Sequence, residues 1–116
     1  MKPQGKLKIL QPSLRERERY VKFRIISEEQ IVYSDLEAAL WDAVLDLYGE
    51  AGVSKLSLWL VKNLYNEEKQ TGTIRCNNKS VPQVLAALGL INRLGDNRVI
   101  FKILKVSGTI KGLGKD

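Results

Sequence analysis

Histidine is missing from this chain altogether, and cysteine occurs once, at Cys76. With no imidazole there is no Cys–His nucleophile pair and no histidine-ligated metal. A single thiolate cannot build a structural zinc site or close an internal disulfide, and its isolation fits a reducing compartment. Long apolar runs are also lacking. The stretch from Val84 to Ile91 is far shorter than the roughly 20 residues a bilayer-spanning helix needs, so no membrane association is expected. The opening "MKPQGKLKIL" is basic but has neither the apolar core nor the small-residue cleavage site of a signal peptide. A cytoplasmic location is the expectation.

What is present is an ordinary globular composition. The chain has 116 residues, 44% of them hydrophobic and 28% charged, enough for one domain with one core. Its net charge of +6 is unevenly spread. Residues 1–24 hold eight Lys/Arg against two acids, and residues 98–116 hold five against one. The intervening stretch is mildly acidic, with six bases against ten acids. Basic ends on a compact centre suit a polyanion such as nucleic acid.

Periodicity divides the chain into a basic arm (1–18), a single α/β domain (19–107) and a flexible basic tail (108–116). Ser13 with Glu16 is a capping-box pattern, so one helical turn is expected in the arm. "RYVKFRIIS" (19–27) alternates as a strand, with Val21, Phe23 and Ile25 on one face and Lys22 and Arg24 on the other. Ser34 and Glu37 make a second capping box, opening a helix to about Tyr48 with Leu36, Leu40, Ala43, Val44 and Leu47 as its apolar stripe. Gly49 or Gly52 is expected to end it. "SKLSLWLVKNLY" (54–65) reads as a second strand with Leu56, Leu58 and Leu60 on one face. "TGTIRCN" returns as a third, forming a hairpin. Ser80 and Gln83 open a second helix to about Leu94, packing Val84, Leu85, Leu88 and Ile91; Ala86, Ala87 and Gly89 permit a close approach. "LGDN" is a turn, and "RVIFKILKV" (98–106) is the last strand.

The order strand, helix, strand, strand, helix, strand predicts an α+β, ferredoxin-like or RNA-recognition-motif-like sandwich. Four antiparallel strands would carry both helices on one face, with the first and third strands central. The other face then presents Lys22, Arg24, Thr73 and Arg75, joined by Lys102 if Val99, Phe101 and Ile103 point inward. These are candidate RNA-phosphate contacts, with Lys111 of the tail. "TGTIRCNN" lacks the aromatics on which an RNA-recognition motif stacks bases, so contact to the RNA backbone is expected. An acylphosphatase-like site is excluded, because "SEEQIVYS" has no glycine cradle and is acidic. Cys76, in a strand, reads as a small buried residue; alternation turns Arg75 away from its sulfur. On the first helix, Trp41, Leu45 and Tyr48 form a second apolar line, to which Trp59 adds. A protein partner or the chain's own ends could cover it.

"PSLRERERYVKFRIISEE", "LWDAVLDLYGEAG", "TGTIRCNNKSV" and "VSGTIK", in this order and at these spacings, closely resemble the archaeal ribonuclease P protein component 2 family over about residues 11–111. The resemblance implies a subunit of the ribonucleoprotein that removes the 5′ leader of precursor tRNA. It implies that the protein holds no cofactor and no catalytic group, with magnesium and catalysis belonging to ribonuclease P RNA. Ribonuclease P protein component 3 is the implied protein partner, and the apolar flank could also meet a second copy. "KGLGKD" is less basic than the ends of many relatives. The rival reading is a ferredoxin-like protein–protein scaffold whose charge is incidental.

Overall fold

The computed structural model describes residues 17–114. The helical turn expected at Ser13–Glu16, and most of the basic arm, lie outside them. Strand β1 (Glu18–Ile26) leads into helix α1 (Tyr33–Leu56), then β2 (Trp59–Leu60), β3 (Thr71–Asn77), helix α2 (Val81–Leu90), a hairpin of β4 (Arg93–Leu94) and β5 (Asn97–Arg98), and β6 (Ile100–Ser107). The main sheet runs β2-β3-β1-β6, antiparallel throughout. This is the expected ferredoxin-like plan with β1 and β3 at its centre.

The core follows from strand parity. Val21, Phe23, Ile25, Ile74 and Cys76 are buried on the face that meets Leu36, Leu40 and Val44 of α1 and Val84, Ala87 and Leu88 of α2. Phe23 lies opposite Gly72 on β3 and stacks at a tilt on Phe101, with ring centroids 5.4 Å apart. A Cβ on Gly72 would stand 2.6 Å from the Phe23 ring, so only glycine leaves room for it. Burial pushes the Cys76 thiol up to about 11, which leaves it protonated at neutral pH. Among the described residues, no group of three or more acids and thiols could hold a metal ion, and no helix is long and apolar enough to cross a membrane.

Several local expectations are corrected. Gly49, at φ +70° and ψ 173°, does break the helix where the sequence places its end, but a second helical stretch follows directly, so α1 is two helices joined at a kink and the helical chain runs on to Leu56. Ser57 then takes a left-handed conformation, and β2 keeps only Trp59 and Leu60 of the strand expected over 54–65. Leu56, Leu58 and Leu60 are all buried, but Leu56 arrives there from a helix end. Helix α1 starts after Val32, and neither Ser34 nor Ser80 caps a helix through its side chain. Helix α2 stops at Leu90, because Arg93–Leu94 forms the hairpin. Leu47 is exposed, and Gly89 approaches nothing.

Polar bonds secure the loops at the far end of β1. Gln70, itself at φ +55°, donates from Nε2 to the Ile25 carbonyl at 2.8 Å and to the Ser27 hydroxyl at 3.0 Å. Its Oε1 accepts from the Ile31 amide at 2.6 Å. Tyr65 donates its hydroxyl to the Ile31 carbonyl at 2.6 Å. Each satisfied group offsets the cost of burying it, and together they outweigh the strain of a non-glycine residue at positive φ.

Candidate nucleic-acid interface

The outer sheet face is built from the even positions of β1. Tyr20 lies between Arg75 of β3 and Ser107 of β6, Lys22 between Thr73 and Lys105, and Arg24 between Thr71 and Lys102. Trp59 of β2 stands beside Arg75, extending the first row to the sheet's edge. Directly opposed residues share a face, with Cβ atoms about 4.5–5.5 Å apart. Lys22, Arg24, Arg75 and Lys102 are therefore gathered on one surface, as strand alternation leads one to expect.

Lys105 joins them, and simple alternation misses it. Lys102 and Lys105 are three positions apart and would point to opposite faces of a regular strand. The pairing of β6 with β1 slips between Lys22 and Phe23, so that Lys22 meets Lys105 while Phe23 meets Ile103. Leu104 is the extra residue of this bulge, and it restores Lys105 to the outer face. The spacing Lys–Ile–Leu–Lys is the one signal of it in the sequence.

Two like-charge pairs thus sit directly opposite each other, Lys22 with Lys105 and Arg24 with Lys102. Between Arg24 and Lys102, neither of which has an acid beside it among the described residues, such opposition costs stability, of order 0.2–1 kcal/mol. Among the described residues, Arg24, Lys102 and Lys105 enter no ion pair; Arg75 meets Glu18, Nε to Oε2, at 3.6 Å. That pair is half-exposed and so worth little, which leaves Arg75 able to exchange it for another anion.

The chain's own C-terminal segment roofs part of this face, which corrects the expectation of a trailing tail. Ser107 Oγ accepts from the Thr109 amide at 3.2 Å, and Thr109 Oγ1 accepts from the Gly112 amide at 2.9 Å. These bonds shape a 3-10 turn at Lys111–Leu113. Leu113 is 7% exposed yet lies outside the main core. It lines a cleft of about 460 Å³ with Lys22, Thr71, Thr73 and Ile110. Thr71 and Thr73, which line the same cleft, are buried although they point away from the helices, so Thr73 is not presented to solvent. Lys111 stays exposed beside the face, and residues 115–116 lie outside the described chain.

The four apolar candidates separate. Trp41 and Tyr48 are half-buried against the core, and Tyr48 donates its hydroxyl to the Gln83 carbonyl at 2.8 Å, bridging α1 to α2. Leu45 is exposed on the same helix. Trp59 is on the opposite side of the sheet, 57% exposed beside Arg75. One shared patch is therefore not formed.

Fold and surface define a class: an α+β sandwich with helices on one sheet face and opposed cations on the other. Comparison with known proteins supplies the family. Residues 19–116 match the model of the Rpp14/Pop5 family, and the chain belongs to that family. It is 42% identical over 106 residues to Ribonuclease P protein component 2 of Pyrococcus furiosus, covering 91% of this chain and 87% of that one. The same protein of Archaeoglobus fulgidus is also 42% identical over 106 residues, covering 90% and 92%. Among solved structures, a chain of yeast Ribonuclease MRP shares the fold, with a TM-score of 0.61 at 17% identity, over 82% of this chain and 76% of that one.

Proposed function

We propose that this chain is a protein component of ribonuclease P, the ribonucleoprotein that trims the 5′ leader of precursor tRNA, and that it binds and supports the catalytic RNA. The observation that carries the reading is the gathering of Arg24, Lys102 and Lys105 on one face, Arg24 directly opposite Lys102 and Lys105 returned to that face by a bulge, with none of the three in an ion pair among the described residues. A surface that repels itself is stabilised by a ligand carrying closely spaced negative charges, and RNA backbone is such a ligand. Family membership and relatives named as ribonuclease P components support the same reading. In this reading the protein supplies no catalytic group and holds no cofactor; magnesium and the chemistry belong to the RNA. Ribonuclease P protein component 3 is the proposed protein neighbour, with Leu45 on α1 as part of the contact, and precursor tRNA is met within the assembled particle.

A salt titration tests it. Replacing Arg75 by Ala should weaken RNA binding and lower the log–log salt slope by about 0.7–0.9 for each phosphate no longer neutralised. Lys102→Gln should do the same while leaving the free chain as stable as before or slightly more so, because it relieves a repulsion. An unchanged slope in both variants, with the fold intact, would favour a protein–protein scaffold.

A further inference from the structure

Trp59 is not explained by backbone contact. Its indole is 57% exposed on the edge strand, while Leu58 and Leu60 on either side are buried. Its register partner is Arg75, whose own partner across β3 is Tyr20. An indole, a guanidinium and a phenol therefore stand in one row across the outer face, beside the row of Lys22 and Lys105. An apolar protein side chain docking on Trp59 would strip water from the adjacent guanidinium, a costly exchange. A nucleotide compensates for that loss: its base lays a flat π-face on the indole, and its phosphate can replace Glu18 against the Arg75 guanidinium.

We propose that Trp59 and Arg75 form a stacking site for one unpaired nucleotide of RNA, with Tyr20 bordering it. This rests on the reading of the face as an RNA surface and adds a preference that phosphate contacts alone do not give. A base buried in a duplex cannot reach the indole, so the site selects single-stranded or bulged segments. The absence of aromatics from β3 does not preclude stacking, because here the ring is presented by the neighbouring edge strand.

The full chain carrying Trp41→Phe, in which Trp59 is the remaining indole, is titrated with two probes of equal charge. One is an adenylate RNA strand of about 12 nucleotides, and the other is the same strand without bases. The adenylate strand should quench Trp59 fluorescence and bind about 5-fold to 160-fold more tightly than the abasic one, the range expected for stacking of a single base. Trp59→Ala should erase that ratio while leaving the salt slope unchanged, and Trp59→Phe should keep part of it. Arg75→Ala should lower the slope for both probes. Equal affinities for the two strands, or a ratio that survives Trp59→Ala, would overturn the stacking site and leave the phosphate reading standing. Failure of both strands to bind with any salt dependence would overturn the two together.

Discussion

The two faces of one sheet are built by opposite rules. Toward the helices, β1 sends Val21, Phe23 and Ile25, all buried and uncharged. Away from them it sends Lys22 and Arg24, each set against another cation on β6. The inner face gathers stability, about 1.5–3 kcal/mol for each large apolar side chain removed from water. The outer face gives a fraction of that back as repulsion. Adjacent residues of one strand thus serve different properties, and substitutions at odd and even positions should separate stability from RNA binding.

The largest effect is expected from the inner face. Phe23→Ala removes a ring that fills the space over Gly72, and should lower the unfolding free energy by about 3–5 kcal/mol in a urea titration. Molecules that remain folded should keep their salt slope; a changed slope would mean that the two faces are coupled. Next is the roof over the outer face. Leu113→Asp should cost about 1.5–3 kcal/mol and speed amide exchange at Thr71 and Thr73. Unchanged exchange would show that Leu113 contributes nothing to their cover.

Alkaline unfolding isolates the buried side again. Burial raises the Cys76 thiol from its ordinary 9.0 to about 11, and burial, aided by the nearby Glu67 charge, raises the Tyr65 phenol from 10.0 to about 12. Between each ordinary value and the raised one, the folded chain binds more protons than the unfolded chain, so stability falls as pH rises. Stability from these groups should be complete below pH 9 and lost progressively between about 9 and 12, with the upper part of the loss absent in Tyr65→Phe. That variant also forfeits the bond to Ile31, worth about 0.5–1.5 kcal/mol. A flat profile above pH 9 would mean that both groups are solvated.

The smallest effect is a control for repulsion itself. Arg93 and Arg98 oppose each other across the β4–β5 hairpin, off the cationic face and near Glu28 and Asp96. Arg98→Gln should raise stability by about 0.2–1 kcal/mol without altering the RNA salt slope. A lowered slope would extend the RNA surface to the hairpin.

Strand parity makes much of this legible in the sequence. Val21, Phe23 and Ile25 alternate with Lys22 and Arg24 in plain view, and "TGTIRCN" marks β3 directly. What escapes is wherever the backbone leaves its regular period. The buried set Leu56, Leu58 and Leu60 imitates a strand because the left-handed Ser57 turns a helix end into line with β2. The Leu104 bulge hides Lys105, and Trp59 groups with Trp41 because parity within β2 does not say which side of the sheet is covered. The roof by Leu113 needs a tertiary contact that no local pattern encodes.

The pairing of β1 with β6 also bears on how the chain is made. These strands lie near opposite ends of the sequence, and β1 has a partner on its second side only once Ile100–Ser107 has emerged from the ribosome. Until then a nascent chain holds β1 with an open hydrogen-bonding edge and an incomplete apolar face, the condition in which strands pair with the wrong neighbour. Synthesis should therefore yield a late-closing domain, protease-sensitive when arrested before Ile100 and resistant once Ser107 is free.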